Sequence, residues 1–309
     1  MGFTENATFA IETAGLTKRY GQKRGIEDVS LTVKSSEIFG FLGPNGSGKT
    51  TTIRTILGLL VPTAGTAKVL GLDIRMDSLA IRNLAGYLPS DANLYPHMRG
   101  REIVDLALAV RGRRDNGRVQ ALRERLDIDL SRPIKHCSKG MRQKVAIIAA
   151  LAHDPELLIL DEPTTGLDPL IQHAFADLLR DEAARGKTIF LSSHNLAEVE
   201  ALCQRVAIIR EGRVVTVDEV AALRRVRVKR VAARFAGEPP HLDGLPGLRG
   251  VQRRGDSLTL QVTGDLRPLL SRLAGSDLQD LRIEDPSLEE VFLEFYNHEF
   301  YNHAGGEQP

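Results

Sequence analysis

Gly43-Pro44-Asn45-Gly46-Ser47-Gly48-Lys49-Thr50 is the stretch whose reading decides the fold. It fits the pattern G-x-x-x-x-G-K-[ST], a phosphate-binding loop. Glycines let successive backbone N–H groups converge on one point and form a nest for an anion. A helix expected from about Lys49 through Thr50, Thr51, Thr52 and Ile53 aims its positive dipole end at the same point. Lys49 adds a full charge for the β- and γ-phosphates, and the Thr50 hydroxyl is suited to Mg²⁺. Ile38-Phe39-Gly40-Phe41-Leu42 reads as a short buried strand running into the loop. A glycine-rich turn between strand and helix is the plainer alternative. The constrained positions and the strand–loop–helix setting together favour the phosphate loop.

Outward from the loop, bulk properties set limits. The chain has 309 residues, room for one large domain and a small one. Lys plus Arg number 41 against 40 Asp plus Glu, so no global field draws it to nucleic acid or to an anionic membrane. The richest apolar run, Val145 to Ala152, is far too short to span a bilayer. Met1 to Phe9 lacks the basic–apolar–small plan of a secretion signal. Two cysteines, Cys137 and Cys203, make no disulfide framework. A cytosolic chain that reaches a membrane only through a partner is the expectation.

Before the loop, Phe9 to Ala14 and Val29 to Val33 read as strands, with Gly15 to Gly21 as a turn between them. Gly65 to Leu72 holds another strand, and Gly86-Tyr87-Leu88-Pro89 is a strand end leaving the core. From about Ser90 to Ala152 helical periodicity takes over, with a charged link from Arg111 to Arg118. Leu157 to Leu160 and Thr188 to Leu191 are continuous apolar runs, as strands buried on both faces require, with a helical stretch from Leu170 to Ala184 between them. Arg205 to Arg210 and Arg213 to Val217 form a closing hairpin. Strands alternating with helices predict an α/β fold with a mainly parallel sheet. Near Asp218 the register changes: residues 219–309 read as a small α+β accessory domain with a disordered tail at Gly305 to Pro309. Its basic run from Ala221 to Arg234 is balanced, since residues 220–309 hold 12 basic and 13 acidic side chains.

The second element is Leu157-Leu158-Ile159-Leu160-Asp161-Glu162. An acidic residue at the carboxyl end of a buried strand can hold Mg²⁺, a role that falls to Asp161. Glu162 is then free to polarise a water as general base. Taken alone, two solvated carboxylates at a strand end are an equal alternative.

The third element lies between these two. Ser138-Lys139-Gly140-Met141-Arg142-Gln143-Lys144, with Ser138 preceding Asp161 by 23 residues, is joined by Asp161-Glu162-Pro163-Thr164-Thr165-Gly166-Leu167-Asp168-Pro169 and by Ser192-Ser193-His194. Together, in this order and spacing, they resemble the ATP-binding subunit of ABC transporters over about Phe9 to Val217. The resemblance implies a P-loop ABC ATPase domain over residues 1–218: a mainly parallel sheet core, an antiparallel β subdomain and an α-helical subdomain at about 90–152. It implies ATP and Mg²⁺ as cofactors. Tyr20 matches the aromatic residue that stacks on adenine. Gly43, Pro44, Asn45, Gly46, Ser47, Gly48, Lys49, Thr50 and Thr51 fall on the phosphate and Mg²⁺ site, with Lys49 also acting on the transferred phosphate. Ser138 and Gly140, on either side of Lys139, match the signature motif that touches the γ-phosphate held by an opposite subunit, and Asp168 matches the loop linking the two sites. His194 matches the switch histidine, although a lone histidine after a strand is more often structural. The active unit so implied is a head-to-tail dimer with two composite sites.

Two positions depart from the family pattern. Lys139 stands where the family usually has glycine, and is expected to add a contact to the γ-phosphate in trans or else to point to solvent. Ser90 stands where the family has a glutamine that senses Mg²⁺, so it is a metal-site candidate whose role can pass to a water or to Asp91. Asp285 to Tyr296 looks like the tail of ABC-2-type exporter ATPases, with Leu288, Val291, Phe292 and Phe295 on one face of a helix. That resemblance implies separately encoded membrane permease subunits, a location on the cytoplasmic face of the membrane, and pairing with itself or with a paralogous ATPase. No nucleic acid is expected. A soluble ABC ATPase acting on ribosomes or DNA is the alternative, and an inactive regulatory module is a third; intact Lys49, Asp161, Glu162 and His194 argue against the last.

Overall fold

The computed structural model describes residues 9–21, 23–224 and 228–284. The chain divides into two compact units, Met1–Asp218 and Glu219–Pro309.

The first unit opens with an antiparallel sheet of order β2-β1-β4-β5, made from β1 (Phe9–Tyr20), β2 (Lys23–Lys34), β4 (Ala64–Val69) and β5 (Leu72–Asp73). Between its strands the chain makes β3 (Ile38–Leu42) and α1 (Lys49–Ile56). Next come α2 (Ser78–Leu84) and β6 (Ala85–Leu88), then α3 (Gly100–Ala109), α4 (Arg118–Arg125) and α5 (Lys139–Leu151). The unit ends with β7 (Leu157–Asp161), α6 (Pro169–Ala184), β8 (Thr188–Ser193), α7 (Leu196–Leu202), β9 (Arg205–Arg210) and β10 (Arg213–Glu219). The second sheet has the order β10-β9-β3-β8-β7-β6, and the pairs β9–β3, β3–β8, β8–β7 and β7–β6 are all parallel.

Every residue of β3, β7 and β8 is buried, which is why these strands read as unbroken apolar runs rather than as alternations. Phe190 of β8 stacks on Phe39 at 5.8 Å and meets Phe41 at 5.3 Å, locking the two central strands side by side. Each such side chain, fully buried, contributes about 1.5–3 kcal/mol relative to exposure. Parallel pairing has one further effect: β3, β6, β7 and β8 all deliver their carboxyl ends to the same edge of the sheet, where ligands of open α/β sheets bind.

The expected turn from Gly15 to Gly21 is instead the second half of β1. Register shifts between Thr13 and Leu16, Leu16 and Lys18, and Lys18 and Arg19 let the strand bend without ending. Leu16 and Ile26, both wholly buried, hold that bent stretch to the core. The reversal comes after Tyr20, which pairs with Lys23. Helices α2 and α7 were not legible; α2 buries only Ile81, and α7 only Val199 and Leu202, too few for a period.

In the second unit, α8 (Val220–Arg224) precedes β11 (Val228–Phe235), β12 (Leu248–Arg254), β13 (Ser257–Thr263), α9 (Arg267–Ala274) and β14 (Leu278–Glu284). The sheet is antiparallel, of order β12-β13-β11-β14. The alternating Leu258, Leu260 and Val262 share a core with Val231, Ala233, Phe235, Leu269 and Leu273. The expected helix carrying Leu288, Val291, Phe292 and Phe295, and the tail at Gly305 to Pro309, lie outside the described residues.

Candidate active site

The loop after β3 is shaped by its glycines and by a buried lysine. Gly48 has φ 110°, and a Cβ there would stand 2.8 Å from Ile26 Cγ2, so no larger residue fits. It occupies the N-cap of α1 and offers no side chain to the helix, which leaves the first-turn N–H groups available to an anion. Gly43 N donates to Ser193 O at 3.2 Å, and Ser47 N to Pro44 O at 3.2 Å, fixing the loop's course. The Ser47 hydroxyl is buried and makes no hydrogen bond with any described residue. A phosphate oxygen would satisfy such a group.

Lys49 is only 6% exposed. Its Nζ donates to Gly43 O at 2.6 Å and to Pro44 O at 3.1 Å, and faces Glu162 Oε1 at 3.2 Å. Thr50 Oγ1 donates to Asp161 Oδ2 at 2.7 Å, and Ser192 Oγ donates to Asp161 Oδ1 at 2.5 Å. Asp161 is thus a wholly buried carboxylate with a hydroxyl donor on each oxygen. Glu162 turns another way. Its backbone adopts φ 52°, a left-handed conformation uncommon outside glycine and frequent at functional sites. Its N donates to Ser192 O at 3.1 Å, and its Oε2 lies 2.6 Å from His194 Nδ1. Two adjacent carboxylates therefore face different partners: Asp161 the Thr50 hydroxyl, Glu162 the Lys49 ammonium and the His194 ring.

A cavity of about 470 Å³ opens in front of these groups. That is a usual size for a small-ligand site. Asn45, Gly46, Gly48, Lys49, Thr50, Thr51, Ser90 and Glu162 line it, and Tyr20, Lys23 and Gly25 form its outer wall. Asp161 and His194 do not line it but bond to Thr50 and Glu162, which do. Tyr20 is 48% exposed, its ring edge lies against Gly25, and Lys18 Nζ sits 5.6 Å from the ring centre. Lys23 escaped sequence reasoning. Only the hairpin pairing of Tyr20 with Lys23 brings it to the cavity, and a basic residue three positions after the aromatic was the one available signal. Ser192 was quoted only as part of a motif, yet it holds both Asp161 and the Glu162 backbone.

The oxygen set suits Mg²⁺. Among the described residues no three His, Cys, Asp or Glu side chains are grouped to hold a metal. One carboxylate beside one hydroxyl is what Mg²⁺ takes when phosphate oxygens and water complete its shell. Ser90 shares the cavity with Thr50, whereas Asp91 does not line it.

Ser138, Lys139, Gly140 and Asp168 are not brought to this cavity. Ser138 caps α5, accepting from Met141 N at 3.2 Å, and Asp168 caps α6, accepting from Ile171 N at 3.0 Å. A Cβ on Gly140 would meet Gly166 O at 2.7 Å, and the Lys139 stem runs over Gly166. Ser138, Lys139 and Asp168 are exposed. Gln143 Nε2 donates to Pro163 O at 2.8 Å, so the start of α5 and the segment after Glu162 form one connected, outward-facing patch.

Residues 26–165 match the family model described as ABC transporter. Among curated proteins, Nod factor export ATP-binding protein I of Paraburkholderia xenovorans (strain LB400) is 36% identical over 300 residues, which cover 88% of this chain and 99% of that protein. Among solved structures, one described as the ATP binding subunit of an ABC transporter aligns with TM-score 0.66 and 33% identity, covering 70% of this chain and 92% of that one. A dimeric ATP-binding cassette in a post-hydrolysis state, bound to ADP and Pi, shares the fold with TM-score 0.63 and 24% identity, over 68% of this chain and 98% of that one.

Proposed function

Because this chain belongs to the ABC transporter family, as the ATP-binding and hydrolysing subunit of an ABC-2-type exporter, we propose that the residues around Lys49 form one half of a composite ATPase site. The observation that carries the proposal is the convergence of Lys49, Thr50, Asp161, Glu162 and His194 where β3, β7 and β8 end.

In this reading the residues divide the work. Tyr20 stacks on the adenine, with Lys23 beside it at the cavity mouth. The amides and side chains from Gly43 to Thr51 cradle the phosphates. Lys49 exchanges its contact with Glu162 for the γ-phosphate. Thr50, Asp161 and Ser90 would hold Mg²⁺, which would supply positive charge against the charge developing on the phosphates. Glu162 takes a proton from the attacking water, and His194 steadies both that carboxylate and the γ-phosphate. Ser138, Lys139 and Gly140 face outward and meet the γ-phosphate held by a second ATPase subunit, a copy of this chain or a paralogue. Asp168 lies on the same surface and links the two sites. Each nucleotide then bridges two subunits, so ATP favours the closed pair and its hydrolysis releases it.

The unit Met1–Asp218 acts as the ATPase domain, with its helical part at about 90–152, and Glu219–Pro309 is an accessory domain. No helix among the described residues is long and apolar enough to cross a membrane. We assign the membrane path to separate permease subunits, and place this chain beside them on the cytoplasmic face. The relative's name assigns it export of Nod factor, and by that likeness transport here is directed outward.

The test is hydrolysis and assembly together. Wild-type protein is expected to hydrolyse ATP with Mg²⁺. A Glu162→Gln protein should lose about 100-fold or more in rate while binding nucleotide, pair in the presence of ATP, and bring a membrane protein with it from native membranes. A Glu162→Gln protein that turns over at the wild-type rate refutes the assignment of the base. An isolate carrying no membrane protein refutes the transport partner.

A further inference from the structure

We infer that Glu198 is a positioning residue for hydrolysis, a strut that fixes the backbone corner carrying His194. This rests on the reading of Glu162 and His194 as the hydrolytic pair.

Glu198 lies in the first turn of α7, the helix that begins directly after the His194 corner. Ser193 Oγ donates to Glu198 Oε2 at 2.6 Å. The same hydroxyl accepts from Asn195 N at 2.9 Å and contacts Asn195 O at 3.3 Å, so it grips the chain just after His194. Ser193 is 1% exposed and is the last residue of β8. The other Glu198 carboxylate oxygen, Oε1, is buried and meets no hydrogen-bond donor among the described residues. One carboxylate oxygen therefore ties the first turn of α7 to the end of β8, directly before His194.

The ordinary role of an acidic residue at this place is to cap its helix, but that post is filled: the Asn195 side chain accepts from Ala197 N at 3.0 Å. Glu198 reaches across the corner instead. Burial is the largest influence on it and lifts its carboxyl above the usual range; the Ser193 and Thr164 hydroxyls oppose this, the Glu162 charge adds to it, and His194 opposes it. A group kept in so unfavourable a setting is held there by the surrounding packing. Val199 and Leu202 supply that packing by anchoring α7 in the core. What the strut sets is the 2.6 Å approach of His194 Nδ1 to Glu162 Oε2, since His194 directly follows the braced Ser193 and Glu162 N is held by the neighbouring Ser192. Glu198 does not line the cavity and has no part in holding nucleotide.

The experiment compares wild type with Glu198→Ala, Glu198→Gln, Ser193→Ala and the Ser193→Ala/Glu198→Ala pair, reading kcat, KM for ATP and thermal midpoint. Misplacing a catalytic group by a fraction of an ångström to one ångström is worth about 10- to 100-fold, so Glu198→Ala is expected to lose that much in kcat, with KM within about twofold of wild type. Glu198→Gln, whose amide oxygen still accepts from Ser193, should recover most of the loss. The double variant should be no slower than the worse single variant, because both remove the same bond. Wild-type kcat in Glu198→Ala overturns the inference, and so does a rise in KM matching the fall in kcat. Where Glu198→Ala does not fold, Ser193→Ala carries the test, and wild-type kcat in that variant likewise overturns it. Wild-type turnover in a parallel Glu162→Gln protein would instead refute the reading of the pair, and the inference with it.

Discussion

Replacing Ser192 with alanine tests how Asp161 is held. Ser192 is wholly buried, and its hydroxyl donates to Asp161 Oδ1 at 2.5 Å while accepting from Glu162 N at 3.2 Å. Asp161 is equally buried, and its other oxygen is met by Thr50 at 2.7 Å. Alanine removes one of two hydroxyl donors from a buried carboxylate. A hydrogen bond to a charged group is worth about 1.5–3 kcal/mol, and the freed oxygen has no water to turn to. We expect a loss of about 2 kcal/mol, which in a domain of this size lowers the melting midpoint by roughly 4–8 °C. The same bond fixes the carboxylate beside Thr50, where Mg²⁺ is proposed to bind. At 1.4 kcal/mol per tenfold, the Mg²⁺ concentration for half-maximal ATPase should rise by about 10-fold or more. Thermal melting and an Mg²⁺ titration of the ATPase rate check the two parts. A Ser192→Ala protein that melts within about 1 °C of wild type, with an unchanged Mg²⁺ midpoint, refutes the reasoning.

Three further outcomes are expected. Tyr20→Ala should raise KM for ATP about 5- to 10-fold with kcat little changed, because aromatic stacking is worth about 1 kcal/mol and is present before and during the reaction; steady-state kinetics decide it. Lys139→Gly should weaken ATP-driven pairing and slow hydrolysis, and unchanged affinity and rate would show that its ammonium serves only solvent. His153 should make the fold acid-sensitive. Burial first, then the Arg111 guanidinium, push its ionisation from 6.5 down to about 4. The unfolded chain therefore binds a proton below pH 6.5 that the folded chain refuses until about pH 4, and stability present above that window drains away as pH falls through it. With allowance for the ring's partial exposure, urea unfolding of wild type should lose about 1 kcal/mol more than His153→Gln between pH 7 and pH 5.

How far the sequence reaches is visible in the residues themselves. Gly43 to Thr50 and Leu157 to Glu162 were legible because each packs strand, turn and chemistry into consecutive positions. The buried strands were legible because apolar runs state burial on both faces. The second half of β1 was not, because bulges override the usual meaning of a glycine between strands. Lys23 depends on hairpin register, and Ser192 on the parallel pairing of β7 with β8, where Asp161 lies beside Ser192. Glu198 reads like any helical acid, because its partner Ser193 belongs to the end of β8 and not to its own helix. Each missed residue depends on strand register or on a contact made around a chain reversal, and no local pattern records either.

The placing of β3 between β8 and β9 has a consequence for how the molecule is made. Ile38 pairs with Ile189, and Phe39 with both Phe190 and Arg205, so the strand that leads into the phosphate loop has no partner in its own sheet until some 150 residues later in the chain. At a synthesis rate of about 5–20 residues per second, that wait is on the order of 10–30 s. During it the antiparallel sheet and α1, all encoded before residue 74, can form early, while one of the most apolar segments of the chain stays unmatched. The nascent protein therefore carries its signature loop well before it carries a site, and the interval between the two is when it is most exposed to aggregation and most in need of a chaperone.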